Sequence, residues 1–263
     1  MAKSESPVLY SKDDQIARIR FNRPQRLNAV SQAMYGALEA CFAGAGADPE
    51  VRAIVLTGEG RAFSVGADLK AHGEGERTAA EKRAYVWTGQ RACAVIRDCP
   101  KPVIAAVNGY ALGAGAEMAL SCDFVIMAEE AEMGFPEVGI GTFVGGGLTS
   151  ILPRLVGLNR AKELILLGER FAGRQAADMG LILKAVPLER LEEEVGAFAA
   201  RLVSKAPISV RLAKEQLNRN PLLDLKTAMV CEAEALLACM ASEDWAEGLR
   251  AFAERRAPRF RGT

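Results

Sequence analysis

Pro102-Val103-Ile104-Ala105-Ala106-Val107 is apolar throughout and is stopped at once by Asn108-Gly109. A run this short with no polar face reads as a buried strand, and it must be covered on both sides. Arg52-Ala53-Ile54-Val55-Leu56-Thr57-Gly58 and Asp123-Phe124-Val125-Ile126-Met127-Ala128 have the same character, whereas Ile16-Ala17-Arg18-Ile19-Arg20-Phe21 alternates as a half-buried strand does. After Ile16–Phe21 the proline-broken segment Asn22 to Asn28 intervenes, and Ser31 is placed to cap a helix running to about Phe42. Short buried strands alternating with helices, each strand ending in a small-residue turn, specify an α/β architecture with functional groups at strand ends. No sharp internal repeat is visible.

The character changes after Lys184-Ala185-Val186-Pro187. Leu188 to Ser204 reads as a charged helix, Pro207 restarts one through Leu217, Leu222 to Cys239 forms another, and Asp244 to Glu254 is a last amphipathic helix. The expected division is therefore 1–190, a core carrying the site, and 191–263, a helical region too thin to hold a substantial core alone. That region is expected to pack on the α/β part or on a neighbouring subunit.

Composition excludes several classes. Lys plus Arg equals Asp plus Glu, 33 each, so there is no excess of positive charge for bulk binding of nucleic acid. His72 is the only histidine and no pair among the six cysteines has CxxC spacing, so a zinc site or a cysteine–histidine dyad is poorly supplied. The thiols are expected to be reduced and buried in a cytoplasmic protein. No apolar run approaches a membrane span, and the first residues lead into no signal-type apolar segment.

Two glycine-rich turns carry the chemical signal. Ala62-Phe63-Ser64-Val65-Gly66-Ala67-Asp68 follows one strand, and Asn108-Gly109-Tyr110-Ala111-Leu112-Gly113-Ala114-Gly115-Ala116-Glu117 follows another. The second lacks Gly-Lys-Ser/Thr, so it is not a Walker loop, and its spacing misses the dinucleotide fingerprint. What remains is the pair of exposed N–H groups of Ala114 and Gly115 at a helix start, where the dipole favours an anion. Two such turns can converge on one developing oxyanion. Glu117 lies among the apolar residues Ala116, Met118, Ala119 and Leu120, and Glu137 sits in an apolar loop, where desolvation would raise its pKa. Such a pair can supply proton acceptor and donor. Either glutamate alone could instead be structural: Glu117 as a first-turn acid, Glu137 as a loop carboxylate. Asp123 reads as structural. Gly145-Gly146-Gly147 would let backbone pass close to the site, or bind phosphate, for which Lys70, Arg26, Arg255 and Arg256 are further candidates.

Together these residues resemble the crotonase superfamily, also called the enoyl-CoA hydratase/isomerase family. The resemblance runs almost end to end: Phe21-Asn22-Arg23-Pro24 with Leu27-Asn28-Ala29, then Phe63 to Asp68, Lys101 to Gly109, and a tail of Glu247-Gly248, Ala251-Phe252, Glu254, Arg256 and Pro258. It implies a spiral core of ββα units, a C-terminal helical region used in trimerisation, and a homotrimer or a homohexamer. It implies an acyl-CoA substrate and no separate cofactor, coenzyme A being part of the substrate. By position the Val65 and Ala114 N–H groups would form the oxyanion hole. Alanine in place of the family's frequent glycine at 114 would serve unless φ must be positive.

Glu117 would deprotonate the water attacking Cβ, and Glu137 would protonate Cα. The resemblance places CoA along Arg26, Leu27, Ala62, Ser64, Ala67, Asp68 and Leu69, with Phe252 and Arg255 closing the site. Retention of both glutamates favours hydration of a trans-2-enoyl-CoA. The alternatives are an enoyl-CoA isomerase, a hydratase for branched or cyclic acids, and a non-catalytic acyl-CoA binder. Substrate range is expected to sit in the segment His72 to Arg91, whose form is not legible.

Overall fold

The computed structural model describes residues 6–69 and 78–263. Lys70 and His72 lie outside the described residues, as does the start of the expected His72–Arg91 segment.

The chain advances in ββα steps. Strands β1 (Val8–Asp13) and β2 (Ile16–Phe21) form a hairpin and lead to helix α1 (Gln32–Ala47), whose first turn is capped by the Ser31 side chain accepting from the Met34 N–H. The next step is β3 (Ala53–Gly58), β4 (Ala62–Ser64) and α2 (Ala79–Arg97), which opens on a reciprocal capping box between Thr78 and Glu81. Then come β5 (Val103–Val107), β6 (Tyr110–Leu112) and α3 (Ala114–Leu120), and finally β7 (Phe124–Ala128), β8 (Glu132–Gly134) and α4 (Leu148–Leu167). After β9 (Arg170–Ala172) and α5 (Gly173–Asp178), β10 (Lys184–Val186) completes the larger sheet.

Both strands of the first step and the first strands of the later ones lie side by side, in the order β1-β2-β3-β5-β7-β10, and the second strands of the later steps form a four-stranded sheet with β9, in the order β4-β6-β8-β9. Apart from the β1–β2 and β8–β9 pairs, all neighbours are parallel. This is the expected spiral of ββα units. It has no sequence repeat because only backbone geometry recurs from step to step.

The alternation of side chains along each strand splits the core in two. One set, including Ile54, Leu56, Val103, Ala105 and Val107, packs with Met34, Leu38 and Phe42 of α1. The other, Val55, Ile104, Ala106 and Ile126, is covered by Leu191, Val195 and Ala199 of α6 (Leu191–Val203). Burying each large side chain of this kind contributes roughly 1.5–3 kcal/mol. The helix that opens the expected C-terminal region is thus a layer of the main core. Beyond it, α7 (Pro207–Arg219) has no buried residue, and α8 (Leu225–Met240) buries only Ala228. On α9 (Glu243–Ala253) only Asp244 and Ala251 are buried. Among the described residues no helix is long and apolar enough to cross a membrane.

Candidate active site

Small residues let the ends of β4 and β6 touch backbone to backbone. A Cβ added at Gly115 would lie 2.9 Å from the Ser64 carbonyl carbon and closer still to its oxygen, and one at Gly66 would lie 3.2 Å from the Ala114 nitrogen. Gly66 also has φ +85°, a conformation that other residues rarely adopt. The two turns singled out in the sequence therefore converge.

Their support is a short loop ahead of α1. Leu27 and Asn28 both hold positive φ, 49° and 55°, although neither is glycine. Asn28 is fully buried: its side-chain amide donates to the carbonyls of Glu59 and Ala62, and its side-chain oxygen accepts from the Arg23 N–H. The Ser64 hydroxyl donates back to the Asn28 carbonyl at 2.8 Å. Arg23 also pairs with Asp68 at 3.0 Å and donates to the Ala29 carbonyl. These bonds offset the strain at Leu27 and Asn28. They account for the Asn-Arg-Pro and Asn-Ala motifs as scaffolding of the turn.

The same bonds correct the expectation for Val65, and burial bears on those for Ala62, Ser64 and Asp68. The Val65 N–H donates to the Leu27 carbonyl at 3.1 Å, so it is not available to an anion. Ala67 forms a parallel bridge with Val30, in which Val30 donates to the Gly66 carbonyl and Asp68 donates to the Val30 carbonyl. In that pairing Ala67 turns its own N–H away from Val30, and it has no hydrogen-bond partner among the described residues. Sequence alone cannot show which alternate N–H of Ser64–Asp68 faces the cleft. Ala62 and Ser64 are fully buried and present no surface to a ligand. The Asp68 side chain is nearly buried and engaged with Arg23.

Ala114 opens α3 with ordinary helical backbone, and Gly113 before it takes the positive φ, +53°. Alanine is therefore accommodated at 114. The Ala114 N–H, at the start of the helix, has no partner among the described residues.

Both glutamates lie beside this junction. Glu117, in the first turn of α3, is buried, and its Oε1 accepts from the Gly145 N–H at 2.6 Å. Burial pushes its carboxyl up to about 7; the Gly145 hydrogen bond opposes that rise and the nearby Glu137 adds to it. Glu137 stands on the turn Pro136–Ile140 after β8, also buried. Its Oε1 lies 2.8 Å from where a Gly113 Cβ would be, and its Oε2 has no protein partner. Burial raises its pKa as well. Two desolvated carboxyls and two unpartnered N–H groups at one junction suit an acid–base reaction through an oxyanion.

The family model described as "Enoyl-CoA hydratase/isomerase" matches residues 11–263. The chain belongs to that family. It is 38% identical over 254 residues to the crotonyl-CoA hydratase of Syntrophomonas wolfei, covering 96% of this chain and 97% of the relative. It is 37% identical over 250 residues to the short-chain-enoyl-CoA hydratase of Clostridium acetobutylicum, covering 95% of each. Among solved structures, the enoyl-CoA hydratase of Bacillus anthracis superimposes with a TM-score of 0.94 at 36% identity, covering 98% of this chain and all of the other.

The remaining expected residues of this family member make no hydrogen bond or ion pair to the glutamates among the described residues. Arg26 and Leu69 are exposed, and Leu27 and Ala67 half-buried, on the loops that flank the β4 turn. Phe252 is 87% exposed at the end of α9, and Arg255 follows with φ +54°. No hydrogen bond or ion pair joins either to the glutamate pair among the described residues. Arg256 is tied to Glu247 and Glu254. Asp123 is structural: it accepts from the Val103 N–H and pairs with Lys214, each at 2.7 Å. Among the described residues no group of His, Cys, Asp or Glu side chains is placed to hold a metal ion.

Proposed function

We propose that this protein hydrates a trans-2-enoyl-CoA to the 3-hydroxyacyl-CoA, with short straight-chain esters as the first substrates to test. The observation that carries the reading is the pair of buried glutamates beside two converging backbone N–H groups. The Ala67 and Ala114 N–H groups would hold the thioester oxygen as it gains charge. Each such donor contributes about 3 kcal/mol or more to the transition state. The Gly145 N–H favours the ionised form of Glu117, which suits it to take a proton from water attacking Cβ. The Glu137 carboxyl is buried without a protein donor on Oε2, burial raises its pKa, and it would deliver a proton to Cα. Coenzyme A would run along Arg26, Leu27, Ala67 and Leu69 as part of the substrate, with no separate cofactor.

We further propose that the protein works in the cytoplasm as a homotrimer, or as a hexamer of two trimers, assembled through residues 191–263. Exposed Leu225, Met229, Val230, Leu236, Leu237 and Met240 on α8 support this, since a free monomer rarely exposes so many large apolar side chains on one helix. Phe252 and Arg255 would then close a site within the assembly. Sedimentation velocity tests that part: a monomer at micromolar concentration would refute it. Mass analysis of the product from crotonyl-CoA tests the reaction. Hydration adds the mass of one water, whereas a double-bond shift leaves the mass unchanged and would sink the reading.

A further inference from the structure

Gly145, Gly146 and Gly147 link Glu117 to α2 in a way the chemistry above does not use. Each of the three glycines faces a different residue of one α2 stripe, spaced as i, i+3 and i+7. A Cβ at Gly145 would lie 3.2 Å from the Gln90 Nε2, one at Gly146 would lie 3.1 Å from the Cys93 Sγ, and one at Gly147 would lie 3.4 Å from the Arg97 Nη1. The Arg97 Nη2 donates to the Gly146 carbonyl at 2.8 Å. Two peptides toward the N-terminus, the Gly145 N–H donates to Glu117.

Three consecutive glycines form the least self-constrained backbone a chain can contain. On its C-terminal side this segment is tied by the first bonds of α4, Leu148 to the Gly145 carbonyl and Ser150 and Ile151 to the Gly147 carbonyl. Before it, Val144 is buried in the main core, while Gly141 to Phe143 are exposed. Among the described residues, Arg97 supplies the side-chain hydrogen bond to a carbonyl of this run.

We propose that Arg97 is a positioning residue for Glu117, acting through the Gly146 carbonyl and the Gly145 N–H. The proposal rests on the hydratase reading of the site. Arg97 does not hydrogen-bond the carboxylate itself; it holds the Gly146–Gly147 peptide, two peptides along from the one that does. The other titratable or charged groups facing Glu117 are Glu137 on its turn, Cys93 on α2 and Tyr35 on α1. None of them donates a hydrogen bond to it in this structure. A loosened Gly145 would remove the bond that holds the ionised carboxylate down, so its pKa would rise further.

The test uses Arg97→Met and Arg97→Lys in the full chain, with circular dichroism and thermal melting to establish folding. With crotonyl-CoA, Arg97→Met should lower kcat roughly 10- to 100-fold, the cost of a misplaced catalytic group, while KM stays within about twofold. The acid limb of the kcat–pH profile should move to higher pH. Arg97→Lys, which keeps a donor for the Gly146 carbonyl, should recover part of the loss. Carboxyl-carbon NMR of labelled glutamate, with Glu117 assigned by Glu117→Gln, should show the Glu117 titration moving up in Arg97→Met.

An unmoved titration and acid limb, or a Lys variant no better than Met, would overturn the proposal even if kcat fell. Wild-type protein without turnover would refute the hydratase reading, while the NMR titration would still decide the role of Arg97. If Arg97→Met does not fold, Arg97→Ala, which likewise removes the donor, carries both measurements: a wild-type titration and acid limb in that variant would overturn the proposal.

Discussion

Replacing Gly115 by alanine adds one methyl group at the point where α3 presses on β4. That methyl would lie 2.9 Å from the Ser64 carbonyl carbon and nearer to its oxygen, both backbone atoms that cannot rotate aside. Carbon–carbon contacts settle at about 3.5–4.0 Å, so the two turns must separate by roughly 1 Å. Overpacking of this kind costs about 1–3 kcal/mol, which for a chain of this size lowers the melting midpoint by roughly 2–10 °C. The catalytic cost should be larger. The Ala67 and Ala114 N–H groups sit on the two turns being forced apart, and a 1 Å misplacement can cost about 100-fold in rate. Gly36→Ala is the control, because that glycine lies within α1 with open space around its Cβ position. There the same change should stabilise by about 0.5–1 kcal/mol and leave kcat unchanged. The assay is kcat on crotonyl-CoA together with thermal melting of both variants. A Gly115→Ala protein as active and as stable as wild type would refute the idea that close contact of the turns builds the site.

Two further predictions concern buried charge. The Glu117 carboxyl is raised from 4.5 to about 7, so its stabilising effect is complete below the unfolded value and is lost as pH rises through the folded one. Glu117→Gln should therefore be more stable than wild type above that range, by up to roughly 3 kcal/mol, with the gain disappearing at acid pH. Denaturant unfolding at several pH values measures it, and a stability difference independent of pH would contradict the assignment. Lys214→Met would strand Asp123, whose carboxyl is buried beside the Lys214 ammonium, and should cost about 3–5 kcal/mol. A loss below about 1 kcal/mol by denaturant unfolding would show that water reaches Asp123 and replaces its partner.

Much of this molecule is legible in its sequence because its central strands are apolar on both faces. The three apolar runs became β3, β5 and β7 to within a residue, and the two glutamates named from their apolar neighbours are both buried. The second-layer strands β4, β6 and β8 are three residues each, too short for any periodicity to register, and two of them lie inside the glycine turns. Helix α2 was hidden because its exposed face carries Val86 and Trp87, which blurs the amphipathic pattern. The choice between the Val65 and Ala67 N–H groups depends on a bridge to Val30, some 35 residues away, and no local signal encodes it. The Gly145 bond to Glu117 was foreshadowed only by a run of three glycines, a composition that permits close approach without naming its partner.

The central claim is that Glu117 and Glu137 act together on water at an enoyl thioester. Loss of the conjugated enoyl-thioester absorbance of crotonyl-CoA, followed for wild type, Glu117→Gln and Glu137→Gln, tests it most directly. Fast loss with wild type and a fall of roughly 100-fold or more in each variant is the expected result. Variants that keep near-wild-type rates would contradict it, as would a wild-type protein that binds crotonyl-CoA and leaves its absorbance unchanged.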